Sequence, residues 1–426
     1  MKYAYCGATV LDGSEKMEPR TGLTVLTDGE KIEAIVPEGS DLTGYEVIDL
    51  SGQYLLPGLI NLHVHLPASG KPTKKQSDNA KKVRLLTSTA LLRRIVQAVC
   101  ESYAKKQLMS GVTTIRTVGG VLSFDTKIRD RINAGAIEGP RILAANMAVS
   151  VPGGHMAGSL AYEAKSADEA REYVRRIAED KPDLIKLMIT GGVLDAKVKG
   201  EPGEVKMPAD YIRAACDEAH RLGLPVAAHV ESTEGVRLAL QNGVDTIEHG
   251  AAPDEEILSL FRERGACQVA TLSPALPYAL FDRAVSGVSE TEQYNGDVVF
   301  RGIIDCAKKC LENGIPAGLG TDTGCPYITQ YDMWREVNYF RKFCGVSNAF
   351  ALHTATLGNA RLVALGDVTG SIEPGKCADL IATAKNPLDD LAALREVSMV
   401  VTRGKPIRSP KVKKMAEVER ELDKFL

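Results

Sequence analysis

The chain has 426 residues, 44% of them hydrophobic and 25% charged, with a formal net charge of −3. That is the make-up of a globular protein long enough for one large barrel plus an appended module, and its charge balance gives no sign of a nucleic-acid or anionic-membrane partner. No apolar run approaches the roughly 20 residues a membrane-spanning helix needs, and the segment from Met1 to Gly13 reads as a first strand rather than a signal peptide. The nine cysteines are scattered without CxxC pairs, which predicts reduced thiols, mostly core filler, in a cytoplasmic protein.

Residues 1–56 alternate short β-like segments, Tyr3–Val10, Leu23–Thr27, Lys31–Val36 and Glu46–Asp49, with turn signals at Asp12-Gly13, Asp28-Gly29 and Glu38-Gly39. They predict a small antiparallel β unit. From Pro57 onward apolar strand-like runs alternate with helical patterns, as in βαβ units with a parallel sheet. Eight strands are predicted: Leu59–His65, Val112–Val118, Arg141–Val149, Leu184–Thr190, Pro225–Val230, Thr246–His249, Cys267–Leu272 and Ile315–Gly320. Helices fall between them, for example over 167–179, 208–222 and 298–313, with Gly223 and Gly314 placed where a left-handed residue ends a helix. Eight such units over roughly 300 residues predict an α/β fold of (β/α)8 TIM-barrel type. An open doubly wound sheet is the alternative, but the Gly-rich phosphate loop it commonly carries after its first strand is missing.

After residue 365 β character returns over 370–372, 379–384 and 397–402, and these strands are expected to rejoin the N-terminal ones in a small β-sandwich domain. The domain boundaries expected are 1–57 and 365–426 for the sandwich and 58–364 for the barrel. The last segment, 410–426, spaces Val412, Met415, Val418, Leu422 and Phe425 as an amphipathic helix. It is expected to pack on its own domain, a neighbouring subunit being the alternative, so a homo-oligomer stays open. Between the first two barrel strands, residues 67–82 carry Lys71, Lys74, Lys75, Lys81 and Lys82, and read equally as a lid over the site or as a solvated loop.

Seven histidines occur, and four of them end predicted strands. His63 and His65 form an HxH at the end of the first, where side chains two apart point to the same side. Alone, that pair fits a metal site or two hydrogen-bonded structural histidines. His229 ends the fifth strand and His249 the sixth, and Asp322 follows the eighth in a Gly-rich turn. Catalytic groups of such barrels gather at this face, and the agreement in position predicts a metal centre. Lys186 lies inside the apolar run 184–189, where an ammonium is costly unless it is paired, deprotonated or modified. A pair with a buried acid such as Asp322 is one reading. The other is a neutral amine that reacts with carbon dioxide to give a metal-bridging carbamate.

With HxH after strand 1, Lys in strand 4, His after strands 5 and 6 and Asp after strand 8, the chain resembles the amidohydrolase superfamily, metal-dependent hydrolases built as a (β/α)8 barrel with a split β-sandwich. The likeness extends to the segments 55–60 and 370–380. Within the superfamily the segments 111–116, 139–141, 153–155, 185–192 and 243–250 resemble the Xaa-Pro dipeptidase-like and imidazolonepropionase-related branch. The resemblance implies that His63, His65, Lys186, His229, His249 and Asp322 hold two divalent metal ions, zinc by default, with Lys186 N6-carboxylated. It implies His63, His65 and Asp322 on one ion and His229 and His249 on the other, a bridging hydroxide as nucleophile, and Asp322 as the group that moves the proton. His155, in the GGH segment, is then a candidate for holding the carboxylate of a small-molecule substrate, with a helix-capping role as its alternative.

The activity implied is hydrolysis of an amide bond, in a dipeptide or N-acyl amino acid, with cyclic amides or lactones as the alternative substrates. Two positions depart from the branch: Glu231 stands where similar dipeptidases carry Tyr or His, and Thr117 where they often carry Asp. Glu231 is expected to form an ion pair with Arg237 or another surface group, facing a substrate cation being the other reading. Related deaminases carry HxxE after strand 5, whereas His229 and Glu231 give HxE, which disfavours deamination. An inactive scaffold relative would be expected to have lost ligands, and here all six are present.

Overall fold

The computed structural model describes residues 1–73 and 78–426; Lys74 and Lys75 of the segment that reads as a lid or a solvated loop lie outside the described residues. The barrel strands are Leu59–Val64, Val112–Thr117, a third in two pieces (Arg141–Leu143 and Ala148–Ser150), Ile185–Met188, Val226–Val230, Thr246–His249, Cys267–Ala270 and Ala317–Leu319. All pair in parallel with their neighbours. Most are buried at every residue, which is why they read as unbroken apolar runs rather than alternating ones.

Closure into a barrel rests on main-chain bonds between the last and first strands. Asp322 N–H donates to the His63 carbonyl at 2.9 Å, and His65 N–H donates to Thr323 at 3.2 Å. The open-sheet alternative is thereby excluded. The barrel is distorted at its third strand, predicted as one run. The first piece pairs with the second strand and the other with the fourth, while Asp183 N–H bridges the break to the Ala144 carbonyl at 2.8 Å.

Helices fill the connections much as the apolar periodicity indicated. Gly223 (φ +75°) and Gly314 (φ +67°) take the left-handed conformation just beyond Ala209–Arg221 and Glu290–Glu312. The latter helix starts earlier than periodicity alone implied. Ser289 and Glu292 form a reciprocal capping box, which sets the start two turns before the apolar stripe.

Both chain ends build the accessory sheets. One has the order Lys31–Pro37, Leu23–Asp28, Lys2–Cys6, Glu46–Asp49; the other Lys405–Arg408, Val397–Thr402, Leu380–Thr383, Tyr54–Pro57, Thr9–Val10. Tyr5, Val25, Ile32, Ile48, Leu55, Leu380 and Val401 fill one core cluster drawn from strands of both sheets. The N-terminal unit is not purely antiparallel, since Lys2–Cys6 pairs in parallel with Glu46–Asp49. Gly7 (φ +74°) breaks the predicted Tyr3–Val10 run and sends its second half to the other sheet. Residues 370–372 form no strand, Gly370 being held at φ +93°.

The terminal helix is shorter than expected, Ala416–Leu422 with a 3₁₀ turn to Phe425, and it packs on its own C-terminal segment, through Arg395, as well as on the barrel, through Arg335. Val418 and Leu422 join the main barrel core, and Phe425 stacks on Phe281. Among the described residues no helix is long and apolar enough to cross a membrane.

Candidate metal centre

Strand ends bring the predicted histidines together. The His63 ring centroid lies 5.3 Å from that of His65 and 4.9 Å from that of His249, which is 4.7 Å from His229. Two clusters with ligand atoms all within 4.8 Å of one another result: His63, His249 and Asp322, and His229, Glu231 and His249. Two residues of the cluster sit at left-handed backbone angles, His249 at φ +69° and Asp322 at φ +53°. Such conformations cost of order 1–3 kcal/mol each and persist where the surroundings enforce them. Here the enforcing contacts are the Gln268 side-chain amide, which donates to the His249 carbonyl at 2.6 Å, and the seam bond from Asp322 N–H to His63.

The hydrogen bonds decide which nitrogens are free. His63 Nδ1 lies 2.7 Å from the Glu248 carboxylate and His65 Nδ1 2.7 Å from the Gly119 carbonyl. Both partners only accept, so each Nδ1 carries the hydrogen and each Nε2 keeps a lone pair. These lone pairs face a third acceptor: Asp322 Oδ1 is 3.1 Å from His65 Nε2 and 3.5 Å from His63 Nε2. Asp322 Oδ1 is nevertheless buried without a hydrogen-bond donor. Three acceptors converging with no hydrogen between them fit a cation. His249 Nδ1 is engaged by Thr271 Oγ1 at 2.6 Å, and His229 Nε2 faces the Gly191 carbonyl at 3.4 Å.

Electrostatics favour the same state. Burial, reinforced by Lys186 against the pull of Asp322, brings the His63 imidazole down to about 4, so it is neutral at pH 7. His229 and His249 are likewise held well below the usual range, first by burial. Burial pushes the Asp322 carboxyl upward, but His63, His65 and His249 outweigh it and keep the group ionised. Glu248 too stays ionised despite burial, because the Arg116 guanidinium bonds it at 2.5 Å and His63 donates to it. Arg116 also donates to the Leu62 carbonyl and to Thr246, tying three strands together behind the ligands.

Lys186 is 1% exposed, its Nζ has no hydrogen-bond partner, and burial brings its ammonium down to about 8. The ion pair with Asp322, one of the two readings of Lys186, does not form. Glu231 departs from expectation. Arg237 is engaged by Glu234, Asp254 and Glu256, while Glu231 turns inward with Oε2 sealed and unpartnered. Burial, with Asp322 and Asp195 nearby, pushes its carboxyl up to about 8. The His155 ring stacks on His229 at 4.2 Å and 6°, and its Nδ1 bonds Asp195 at 2.6 Å. It caps no helix. Thr117, at the other departure, accepts from Ala145 N–H at 3.2 Å.

Arg116, Glu248, Thr271 and Asp195 were given no role in the sequence reading. Their one available signal is that a charged or polar residue inside a fully buried parallel strand, as at Arg116 and Glu248, needs a partner. Nothing local points to Thr271 or Asp195.

A distorted (β/α)8 barrel with His and carboxylate clusters at its strand ends defines a metal-dependent hydrolase, with a site suited to cleaving a carbon–nitrogen bond. Residues 54–407 match the amidohydrolase family, and the chain belongs to it. It is similar to a solved Bifidobacterium longum protein provisionally described as a prolidase, with 35% identity, a TM-score of 0.87, and 99% of this chain and 98% of that one covered. A solved Xaa-Pro dipeptidase with methionine bound in its active site is 28% identical, with a TM-score of 0.83 over 96% of this chain and all of that one. The ochratoxinase of Aspergillus niger is 26% identical over 398 residues, covering 84% of this chain and 76% of that protein.

Proposed function

We propose that the protein hydrolyses the amide bond of a dipeptide or N-acyl amino acid, using two divalent ions, zinc by default, and an N6-carboxylated Lys186. The observation that carries the metal reading is the convergence of His63 Nε2, His65 Nε2 and Asp322 Oδ1 with no hydrogen among them. Similarity to the Xaa-Pro dipeptidase supports the substrate class. His63, His65 and Asp322 would hold one ion and His229 and His249 the other. The unpartnered Nζ of Lys186, in a setting that favours the neutral amine, fits a carbamate shared between them. Dications held there supply a nucleophile at neutral pH and polarise the scissile carbonyl.

The chain's own groups supply the rest. Asp322, ionised and lacking a donor on Oδ1, takes the proton of the attacking water and returns it to the leaving nitrogen. Glu248, held by Arg116, keeps the hydrogen on His63 Nδ1 so that Nε2 stays free. His155, in its doubly protonated form with Nδ1–H donating to Asp195, would offer Nε2–H to the substrate's carboxylate.

The test is a release assay over dipeptides, N-acetyl and N-formyl amino acids, lactams and lactones, with metal-replete and chelator-stripped protein. Release of the C-terminal amino acid, abolished by chelation and restored by zinc, is expected. Turnover confined to rings or esters would show the peptide reading to be wrong.

A further inference from the structure

Glu231 carries one buried carboxylate oxygen that no donor reaches. Its Oε2 is sealed from solvent without a donor, and one of its carboxylate oxygens lies within 4.8 Å of ring nitrogens of both His229 and His249. Its main chain is fixed: Glu231 N–H donates to Thr190 Oγ1 at 3.0 Å. Gly203 (φ +72°) packs so tightly on the Glu231 carbonyl that a Cβ there would sit 2.5 Å away. The backbone that presents the side chain is therefore fixed rather than part of a loose loop.

We propose that Glu231 is a protein ligand of the cation seated between His229 and His249, an inference that rests on the two-cation reading above. Ionised, a carboxylate only accepts, so an Oε2 buried without a donor disfavours that form unless a cation lies beside it. With Glu231 included, each half of the centre has the same set of two imidazoles and one carboxylate. On one side these are His63, His65 and Asp322, on the other His229, His249 and Glu231. Three protein ligands, including the two-histidine-plus-glutamate combination, are what catalytic dication sites provide while leaving a position open. Without Glu231 the second ion has two imidazoles and depends on modified Lys186 for any anionic protein ligand. With it, that ion is retained whether or not Lys186 carries its carboxylate.

The experiment is Co²⁺ titration of the full-length, metal-stripped protein in metal-buffered solution, followed by calorimetry and by visible absorption. Wild type, Glu231→Gln, Glu231→Ala and Lys186→Met are compared, each checked for folding by its melting curve. Wild type should take two ions. Either Glu231 substitution should leave one at wild-type affinity and weaken the other on the order of 100-fold. Lys186→Met should keep both, and combining it with Glu231→Gln should abolish the second. Two ions bound within twofold of wild type in both Glu231 variants would overturn the proposal. So would unchanged ion binding with a raised KM confined to substrates bearing a free ammonium, which would make Glu231 the substrate's partner. If wild type takes a single ion, a loss of its affinity on Glu231→Gln upholds the ligand and refutes the two-cation reading. No loss in that case refutes both.

Discussion

Lys186 carries a conflict between stability and chemistry on one side chain. Its ammonium is lowered from 10.5 to about 8 by burial, so between those values the folded chain has released a proton that the unfolded chain still holds. Stability of the metal-free protein should therefore rise with pH from 8 to 10.5, and the full penalty, about 3 kcal/mol, applies below 8. Lys186→Met, which fills the same buried space without a charge, should stabilise metal-stripped protein at pH 7 by up to that amount and by much less at pH 10. The same variant should lose most of its hydrolytic activity. Urea denaturation at the two pH values and the release assay check both halves; full activity would remove Lys186 from the mechanism. The lysine was legible as an anomaly in its strand, whereas Glu231 was misread. HxE looks like any acid at a strand end, and only the three-dimensional position of Arg237, occupied by three other carboxylates, denies it the ion pair.

Among the elements, the seam between the eighth and first strands carries the most consequence for the site, because it joins His63 and His65 to Asp322. Gly320 makes the approach possible: a Cβ there would lie 2.5 Å from the His63 Cβ and 2.6 Å from its backbone nitrogen. Neither atom belongs to a flexible side-chain end, so the strand itself would have to move. Gly320→Ala should cost about 1–3 kcal/mol by overpacking and separate Asp322 from the histidines. A lower melting temperature together with loss of the cation proposed for His63, His65 and Asp322 is expected, and retention of that ion at wild-type affinity would show that the seam tolerates the shift. At this scale most of the fold was legible, because parallel strands buried on both faces leave apolar runs of recognisable length. The break in the third strand was not. It arises from which neighbour each half pairs with, and that information is absent from the run itself.

For the whole molecule, the terminal helix acts as a clasp on the barrel. Arg335 is 0% exposed and pairs with Asp332 at 3.0 Å, Glu419 at 3.1 Å and Asp423 at 2.7 Å, its guanidinium 4.4 Å from the Trp334 ring centroid. Arg395, from the returning C-terminal segment, bonds the same two acids and lies over the same ring. On the adjoining helical position, Glu336 accepts from the N–H groups of Leu272 and Ser273, next to the Thr271 that holds His249. Removing residues 416–426 would strand Arg335 with one acid and expose the core contacts of Val418 and Leu422. A loss of at least about 3 kcal/mol is expected in urea titrations. An unchanged midpoint would mean that the helix is an ornament on a self-sufficient barrel. Periodicity identified the apolar stripe of this helix but could not name its partner, since Arg335 lies more than 80 residues away along the chain.

By itself the sequence determined the alternation of strands and helices, the barrel class, and the six residues that strand ends would bring to one face. Those follow from short-range physics: apolar run length, helix periodicity, the turn preferences of glycine, and a charge out of place in a buried strand. The tertiary structure decided how the barrel closes, where the third strand breaks, and which sheet each terminal strand joins. It also decided that Glu248 and Arg116 orient His63, that Thr271 holds His249, and that Glu231 turns inward. Each depends on contacts between residues tens to hundreds of positions apart, where the outcome is set by which donors the fold brings within reach of each buried acceptor. No local pattern records that.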